Sequence, residues 1–165
     1  MSGVVVVGVH GSLTSLAALR TAVDEARSRR AELVPVLAWA PAGGELVYRA
    51  APSAPLLNFW RAQARERLMT AFEEALGGIP KDIAVTPHAV RSHAGQILVR
   101  AAESPEDLLV VGYGHRRVFG RRLIGATARY CVSHATGRVV LVPPPELLHT
   151  RHRFPGRTVS AIRAA

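Results

Sequence analysis

The fold is decided by residues 108–143, LLVVGYGHRRVFGRRLIGATARYCVSHATGRVVLVP. Aliphatic runs at its two ends, Leu108–Val111 and Val139–Val142, are typical of strands buried on both faces of a parallel sheet. Between them come a loop with four arginines and a helical pattern opened by Gly125. A strand, a glycine-containing loop and a helix N-terminus in this order predict an anion site, because free backbone N–H groups and the positive end of the helix dipole converge there. The arginines are Arg116, Arg117, Arg121 and Arg122.

The rest of the chain repeats this alternation of strand and helix. The predicted strands are Val4–Val7, Leu33–Trp39, Ile83–Val90, Leu108–Val111 and Val139–Val142. Predicted helices follow Ser12, which suits an N-cap, and follow the 41–55 segment as far as Gly77. Two more run from Ser92 or His93 to Ala101 and from Gly125. The sequence therefore predicts an α/β fold: an open, doubly wound, five-stranded parallel sheet with helices on both faces.

Some local features carry their own expectations. Pro35 and Pro87 favour sheet edges or bulges, since proline cannot donate to a ladder. Residues 41–55 form a long predicted loop, either a lid or a mobile excursion. Helical spacing directs two sets of residues inward: Trp60, Ala64, Leu68, Ala71, Phe72 and Ala75 in the long helix, and Ala128, Val132 and Ala135 in the last.

The 165 residues predict one domain over 1–145 followed by a basic extension over 146–165. The single cysteine, Cys131, excludes an internal disulfide and is expected to be a buried thiol in a reducing cytoplasm. We find no secretory signal and no apolar run long enough to span a bilayer, and expect a cytoplasmic protein without a membrane partner. The net charge of +9 comes from scattered arginines with Lys81 as the only lysine, which favours solvated helix faces over a nucleic-acid surface.

Several nucleotide-binding classes are excluded by their motifs. The first turn, Gly8–Ser12, lacks a dinucleotide fingerprint, and no acidic residue ends the second strand at Trp39. A GxxxxGK[ST] phosphate loop is absent, and Lys81 lies far from any suitable turn. The acidic pocket of a phosphoacceptor domain is missing as well.

Over residues 3–143 the chain resembles the universal stress protein family. The likeness rests on VVVVGVHGSLTSLAALRTAVDEA at 4–26, VLAW at 36–39, and VVGYGH, LIGAT and VVLVP between 110 and 143. The last three are similar to the family signature G-x2-G-x9-G-[ST] and its final strand. The resemblance implies the strand order 3-2-1-4-5, dimers through the last strand, and ATP binding in some members.

The resemblance also implies a nucleotide site at the carboxyl ends of the strands. Its residues would be His10, Ala40, Gly112, Gly114, His115, Gly125, Ala126 and Thr127. Ala40 would offer its backbone to adenine, while Gly112 and Gly125 match signature glycines. His10 stands where the family has aspartate, and His115 and Ala126 stand at the second glycine and at the Ser/Thr.

These departures leave two hypotheses. A β-carbon at 115 narrows the approach to a phosphate, and the hydroxyl lost at 126 removes a donor worth about 1–2 kcal/mol to a charged group. Imidazole at His10 cannot accept from ribose hydroxyls as a carboxylate does. The favoured hypothesis is a degenerate pocket with no certain cofactor; the alternative is an ATP or AMP sensor in which Gly114, Thr127 and a protonated His115 compensate.

Other chemistry is less favoured. His10, His115 and His93 lack short-range metal-ligand spacing, so we expect no metal site. Ser12 beside His10 has no orienting acid and already serves as a cap, so we expect no catalytic residues and at most weak ATP hydrolysis. A nucleic-acid role for the tail over 146–165 is the third and weakest hypothesis.

The last strand is expected to be an apolar edge, which a water-soluble protein must cover or pair. We expect a twofold homodimer with these strands antiparallel across the axis, alongside an unidentified protein partner. The interface residues would be Arg138, Val139, Val140, Leu141 and Val142.

Overall fold

The computed structural model describes residues 3–114, 116–118 and 121–145. The strands are β1 Val5–Gly8, β2 Leu33–Trp39, β3 His88–Arg91, β4 Leu108–Gly112, β5 Arg116–Val118, β6 Arg121–Leu123 and β7 Arg138–Val142. The helices are α1 Leu13–Arg29, α2 Glu45–Ala50, α3 Ala54–Leu76, α4 Ala94–Ala101 and α5 Ala126–His134. The 146–165 extension lies outside the described residues.

Five strands form one parallel sheet in the order β3-β2-β1-β4-β7. This confirms the predicted order 3-2-1-4-5, because β5 and β6 pair only with each other and leave β7 as the fifth strand of the sheet. The expectation of a loop at this arginine-rich segment is wrong. Three-residue strands dominated by arginine lack the apolar alternation that reveals a strand in sequence.

The sheet is covered on both faces, as the continuous apolar runs predicted. Successive residues of β1 serve opposite sides: Val5 and Val7 belong to the core under α1 and α3, and Val6 to the core under α4 and α5. All three have 0% exposure. This two-sided burial explains why β1 shows no polar alternation.

The β2–β3 ladder is interrupted at Pro35. A bridge joins Leu33 to Val85, regular pairing resumes only at Val36, and the same register sets Pro35 opposite Pro87. Leu33 donates its N–H toward the β3 side, so the nitrogen of Pro35 faces the same gap, where no donor is needed. The edge expectation from Pro87 is confirmed for β3, whereas Pro35 is buried in an interior strand at this interruption of the ladder.

The segment 41–55 is not the structureless loop expected from its composition. It contains α2, and α3 begins at Ala54, before the end of the predicted loop. Ser53 caps α3 by accepting from Leu56 N–H at 3.5 Å, and Pro55 occupies the first turn. Small residues and prolines hide this helix start because they carry no apolar periodicity.

The inward face of α5 also differs from expectation. Ala128 and Cys131 are buried, whereas Val132 is 53% exposed. Positions three apart share a helix face, and the residue that follows turns about 100° away. The prediction of Val132 as a core residue is therefore wrong. Cys131 is the residue of this turn that faces the core.

Cys131 is a buried thiol, as predicted. Burial raises the pKa of Cys131 to about 11, so the sulfur stays protonated at neutral pH. We expect the native chain to react with an aromatic disulfide reagent about a hundredfold more slowly than the chain in denaturant, since the thiolate is the nucleophile. As Cys131 is the only cysteine, prompt stoichiometric labelling of the native chain would contradict this assignment.

One buried carboxylate joins three segments at the amino end of the sheet. Asp107, 7% exposed, accepts from Val4 N–H through Oδ1 and from Ser104 N–H through Oδ2, both at 2.9 Å. Its backbone carbonyl accepts from Arg138 N–H at 3.3 Å. Asp107 thereby positions the starts of β1, β4 and β7, whose opposite ends form the site below.

Candidate functional site

A cavity of about 250 Å³ opens at the carboxyl ends of β1 and β4. In open parallel sheets ligands bind in this crevice, where neighbouring strands lead to helices on opposite faces. Its lining consists of Gly8, Val9, His10, Ser15, Val36, Ala38, Ala94, Leu98, Val111, Gly112, Gly114, Gly125, Ala126, Thr127 and Ala128. Among these residues none is acidic, and apolar side chains predominate.

The β1–α1 turn supplies His10 on one side of the cavity. His10 is exposed and follows the buried Val9, so its position is fixed by the end of β1. Its Nε2 lies 3.4 Å from Ser12 Oγ, while Ser12 caps α1 by accepting from Ser15 N–H at 3.2 Å. Ser12 is thus engaged as a cap of α1.

Close approach explains two of the glycines. A β-carbon at Gly112 would lie 2.8 Å from Thr14 Cγ2, because α1 packs directly over the end of β4. Gly114 has φ +91°, and a β-carbon there would lie 3.0 Å from the backbone of Gly125. Gly125 N–H donates to the carbonyl of Tyr113 at 2.9 Å and closes the connection. This closure sets the start of α5 against the cavity.

The N-terminus of α5 faces the site without a side-chain cap. Gly125 is the N-cap, in extended conformation, and offers no side chain to the first N–H groups. These groups lack intrahelical partners, and the helix dipole makes them a favourable place for negative charge. Thr127 adds a hydroxyl-bearing side chain to the lining.

The structure brings together most of the residues predicted for the site. His10, Gly112, Gly114, Gly125, Ala126 and Thr127 all line the cavity. Ala40 does not: it is exposed beyond the end of β2, and Ala38, two residues earlier on the same side of the strand, lines the cavity instead. His115 lies outside the described residues.

Sequence reasoning missed the apolar wall of the cavity. Val36 and Ala38 come from β2, and Ala94 and Leu98 from α4. They carry no motif, and only the amphipathic pattern of α4 marks Leu98 as inward-facing. Within the described residues no group of three or more His, Cys, Asp or Glu could hold a metal ion.

A second feature lies at the carboxyl end of β3. Arg91 makes two hydrogen bonds to Glu45 of α2, at 2.7 and 2.6 Å, and its guanidinium lies 4.6 Å from the centre of the Tyr48 ring. The hydrogen bonds from Arg91 are the main reason why the pKa of Glu45 falls below its ordinary value. Tyr48 meets Trp60 of α3 edge-to-face at 6.2 Å. These contacts fasten α2 to both the sheet edge and α3.

Comparison with known proteins agrees with the fold. The model of the Universal stress protein family matches residues 1–143, most of the chain. The chain belongs to the universal stress protein family. Its fold class and strand order are those of solved universal stress proteins. No functionally curated protein is significantly similar to it in sequence.

Solved universal stress proteins match this chain over nearly the whole of their own length. One in complex with cAMP is 25% identical, with 87% of this chain and 98% of that chain covered and a TM-score of 0.61. One from Lactobacillus plantarum is 21% identical, with coverages of 86% and 97% and a TM-score of 0.62. One from Archaeoglobus fulgidus in complex with dAMP is 19% identical, with coverages of 86% and 99% and a TM-score of 0.57. At these lower identities the likeness shows the fold alone.

Proposed function

We propose that this chain is a non-catalytic stress-response module that acts by homodimerisation and protein association, and that its adenine-nucleotide pocket is degenerate. The observation that carries the proposal is the absence of any acidic side chain among the described residues that line the cavity. A carboxylate accepts from two ribose hydroxyls at once, and His10 cannot replace it.

The phosphate side of the cavity is weakened too. Ala126 has no hydroxyl at the start of α5, so a phosphate there would depend on backbone N–H groups and on Thr127. A hydrogen bond to a charged group contributes about 1.5–3 kcal/mol, and each lost bond therefore weakens binding about 10- to 150-fold. The remaining N–H groups and helix dipole favour an anion without selecting ATP.

A second candidate function is an adenine-nucleotide sensor. The cavity is open, and its lining includes Gly114 and Gly125 next to an uncapped helix N-terminus. A 25% identical universal stress protein was solved in complex with cAMP. A nucleotide with a single phosphate demands fewer polar contacts than ATP, so AMP or cAMP is the ligand class to test first under this alternative.

Isothermal calorimetry separates the two candidates. We expect the natural chain to bind ATP with magnesium no tighter than about 1 mM. The triple variant His10→Asp, His115→Gly and Ala126→Ser should bind at least about a hundredfold more tightly, because two lost interactions are restored and the β-carbon at 115 is removed. The matched control carries His134→Asp and Ala62→Ser at exposed positions away from the cavity.

Micromolar binding of ATP, AMP or cAMP by the natural chain would refute the degenerate pocket and support the sensor. If the control variant gains affinity as much as the triple variant, the assignment of His10, His115 and Ala126 is wrong. A triple variant that remains folded and does not bind would contradict the same assignment.

The dimer part of the proposal is supported by β7, which is an edge strand of the sheet within the described residues. Arg138 N–H and the carbonyl of Val142 pair with the β4 side, so the intervening residues Val139 and Leu141 direct their N–H and C=O groups away from β4. Val139, Val140 and Leu141 are half-buried in the described chain. Pairing this edge with a second copy would satisfy those backbone groups.

A further inference from the structure

The helices α2 and α3 present an exposed apolar corner that the proposed function does not use. We call residues 46–59 the helical tip. Its large apolar side chains are exposed: Leu46 by 83%, Val47 by 59%, Leu56 by 50% and Phe59 by 55%. The small residues and prolines between them, at 50–52, 54 and 55, are exposed as well. Exposed apolar surface of this kind marks an interaction site more often than chance.

The helices that carry the helical tip are held against the rest of the protein by their inward-facing side chains. Tyr48, Leu57 and Trp60 face inward, since Leu57 and Trp60 pack on the main core and Tyr48 meets the Trp60 ring edge-on. The Glu45–Arg91 pair fastens the start of α2 to β3. The exposed residues are therefore the outer face of an anchored pair of helices.

The charge around the tip has one sign. Residues 46–65 contain Arg49, Arg61 and Arg65 and no aspartate or glutamate. The nearest carboxylate before the tip, Glu45, is occupied by two hydrogen bonds from Arg91. Arg49, Arg61 and Arg65 are all exposed. An apolar surface whose nearby exposed charges at 46–65 are all cationic is complementary to a surface that is apolar beneath and anionic at its rim.

We propose that the helical tip docks onto an anionic phospholipid bilayer as a peripheral contact. Leu46, Leu56 and Phe59 would enter the headgroup–acyl boundary, and Arg49 and Arg61 would meet lipid phosphates. A second copy fits less well, because a twofold contact through the tip would oppose arginine to arginine. An acidic amphipathic helix is also less favoured, because the tip is a corner between helices and does not line the cavity described above.

This peripheral contact differs from a membrane-spanning segment, for which the sequence shows no sufficiently long apolar run. No helix of the described residues is long and apolar enough to cross a bilayer. A peripheral contact needs no spanning segment, since a few apolar side chains with nearby cations suffice for reversible binding. The proposal is independent of nucleotide binding and of pairing through β7.

Vesicle co-sedimentation of the full chain tests the proposal. We expect binding to vesicles of phosphatidylglycerol and phosphatidylcholine, and at least tenfold weaker partitioning to phosphatidylcholine alone. The pair Leu46→Ser and Phe59→Ser should weaken partitioning to the anionic vesicles at least about tenfold. The pair Arg49→Gln and Arg61→Gln should weaken it about tenfold or more, since each arginine near the surface contributes about fivefold.

Matched controls carry the same changes elsewhere on the exposed surface. The apolar control is Leu13→Ser with Val132→Ser, whose residues are 54% and 53% exposed. The charge control is Arg30→Gln with Arg129→Gln, both exposed. The apolar control should alter partitioning by no more than about twofold. The charge control should weaken partitioning less than Arg49→Gln with Arg61→Gln does. Thermal unfolding checks that every variant is folded.

Three results would overturn the proposal. Equal binding to neutral vesicles would remove the role of charge. Unchanged binding of the tip variants would assign any membrane affinity to another region, such as the basic extension. If the natural chain does not bind vesicles and the tip variants have a lower light-scattering mass than the natural chain, the tip is a contact between two copies of the chain.

Discussion

Replacement of Asp107 by alanine is expected to lower the free energy of unfolding by about 2–6 kcal/mol. The change leaves two backbone donors, Val4 N–H and Ser104 N–H, without their carboxylate acceptor, and each unsatisfied group costs about 1–3 kcal/mol. Asp107→Asn should cost about half as much, since an amide keeps one acceptor oxygen and sets an NH₂ group against the other donor.

Urea denaturation monitored by circular dichroism measures this effect. Asp24→Ala is the matched control, because the Asp24 side chain is 78% exposed and the surface change should alter stability by less than about 0.5 kcal/mol. If Asp107→Ala is as stable as the control, the three-segment connection does not hold the amino end of the sheet together.

Replacement of Leu141 by proline is expected to dissociate the proposed homodimer while the sheet of each chain survives. Leu141 N–H points away from β4, so proline removes a donor from the open edge and leaves the β4–β7 ladder intact. A twofold pairing loses two such bonds at once, and we expect the dimer to weaken about 10- to 100-fold.

Leu141→Ala separates the backbone effect from the side chain. Both variants lose the packing of Leu141 on the α4–α5 side of the sheet, but alanine keeps the N–H group. Light scattering at micromolar concentration should show a smaller mass for Leu141→Pro than for Leu141→Ala. Equal masses for the two variants would mean that the chains do not pair through backbone groups of β7.

The elements predictable from the sequence are those with a local cause. Continuous aliphatic runs at β1, β2 and β4 reveal strands that are buried on both sides, and Ser12 reveals the start of α1. The strand order followed from the family resemblance and could not come from periodicity, since every buried parallel strand has the same pattern. The order is confirmed by the pairing of β1 with both β2 and β4.

The elements that escaped prediction lack a local signal. The β5–β6 pair consists mostly of arginines, and α2 lies among glycines, alanines and prolines. Pro35 escaped for another reason: its tolerance depends on a gap in a neighbouring strand about fifty residues away in sequence, which local rules do not see.

The residues of the site also fall into those with a local signal in the sequence and those without one. Its glycines and the start of α5 are recognisable in the chain, because tight turns and helix starts demand particular residues. The apolar wall from Val36, Ala38 and Leu98 is created by the packing of β2 and α4 around the cavity. Ala38 rather than Ala40 reaches the cavity because the strand ends before Ala40.

Size-exclusion chromatography with light scattering and absorbance at two wavelengths tests both association through β7 and the degenerate pocket. For the chain purified without added nucleotide, we predict a mass of twice the 17.7 kDa chain and an absorbance ratio of protein alone. A mass of one chain would contradict association through β7. A stoichiometric nucleotide absorbance that travels with the protein would contradict the degenerate pocket.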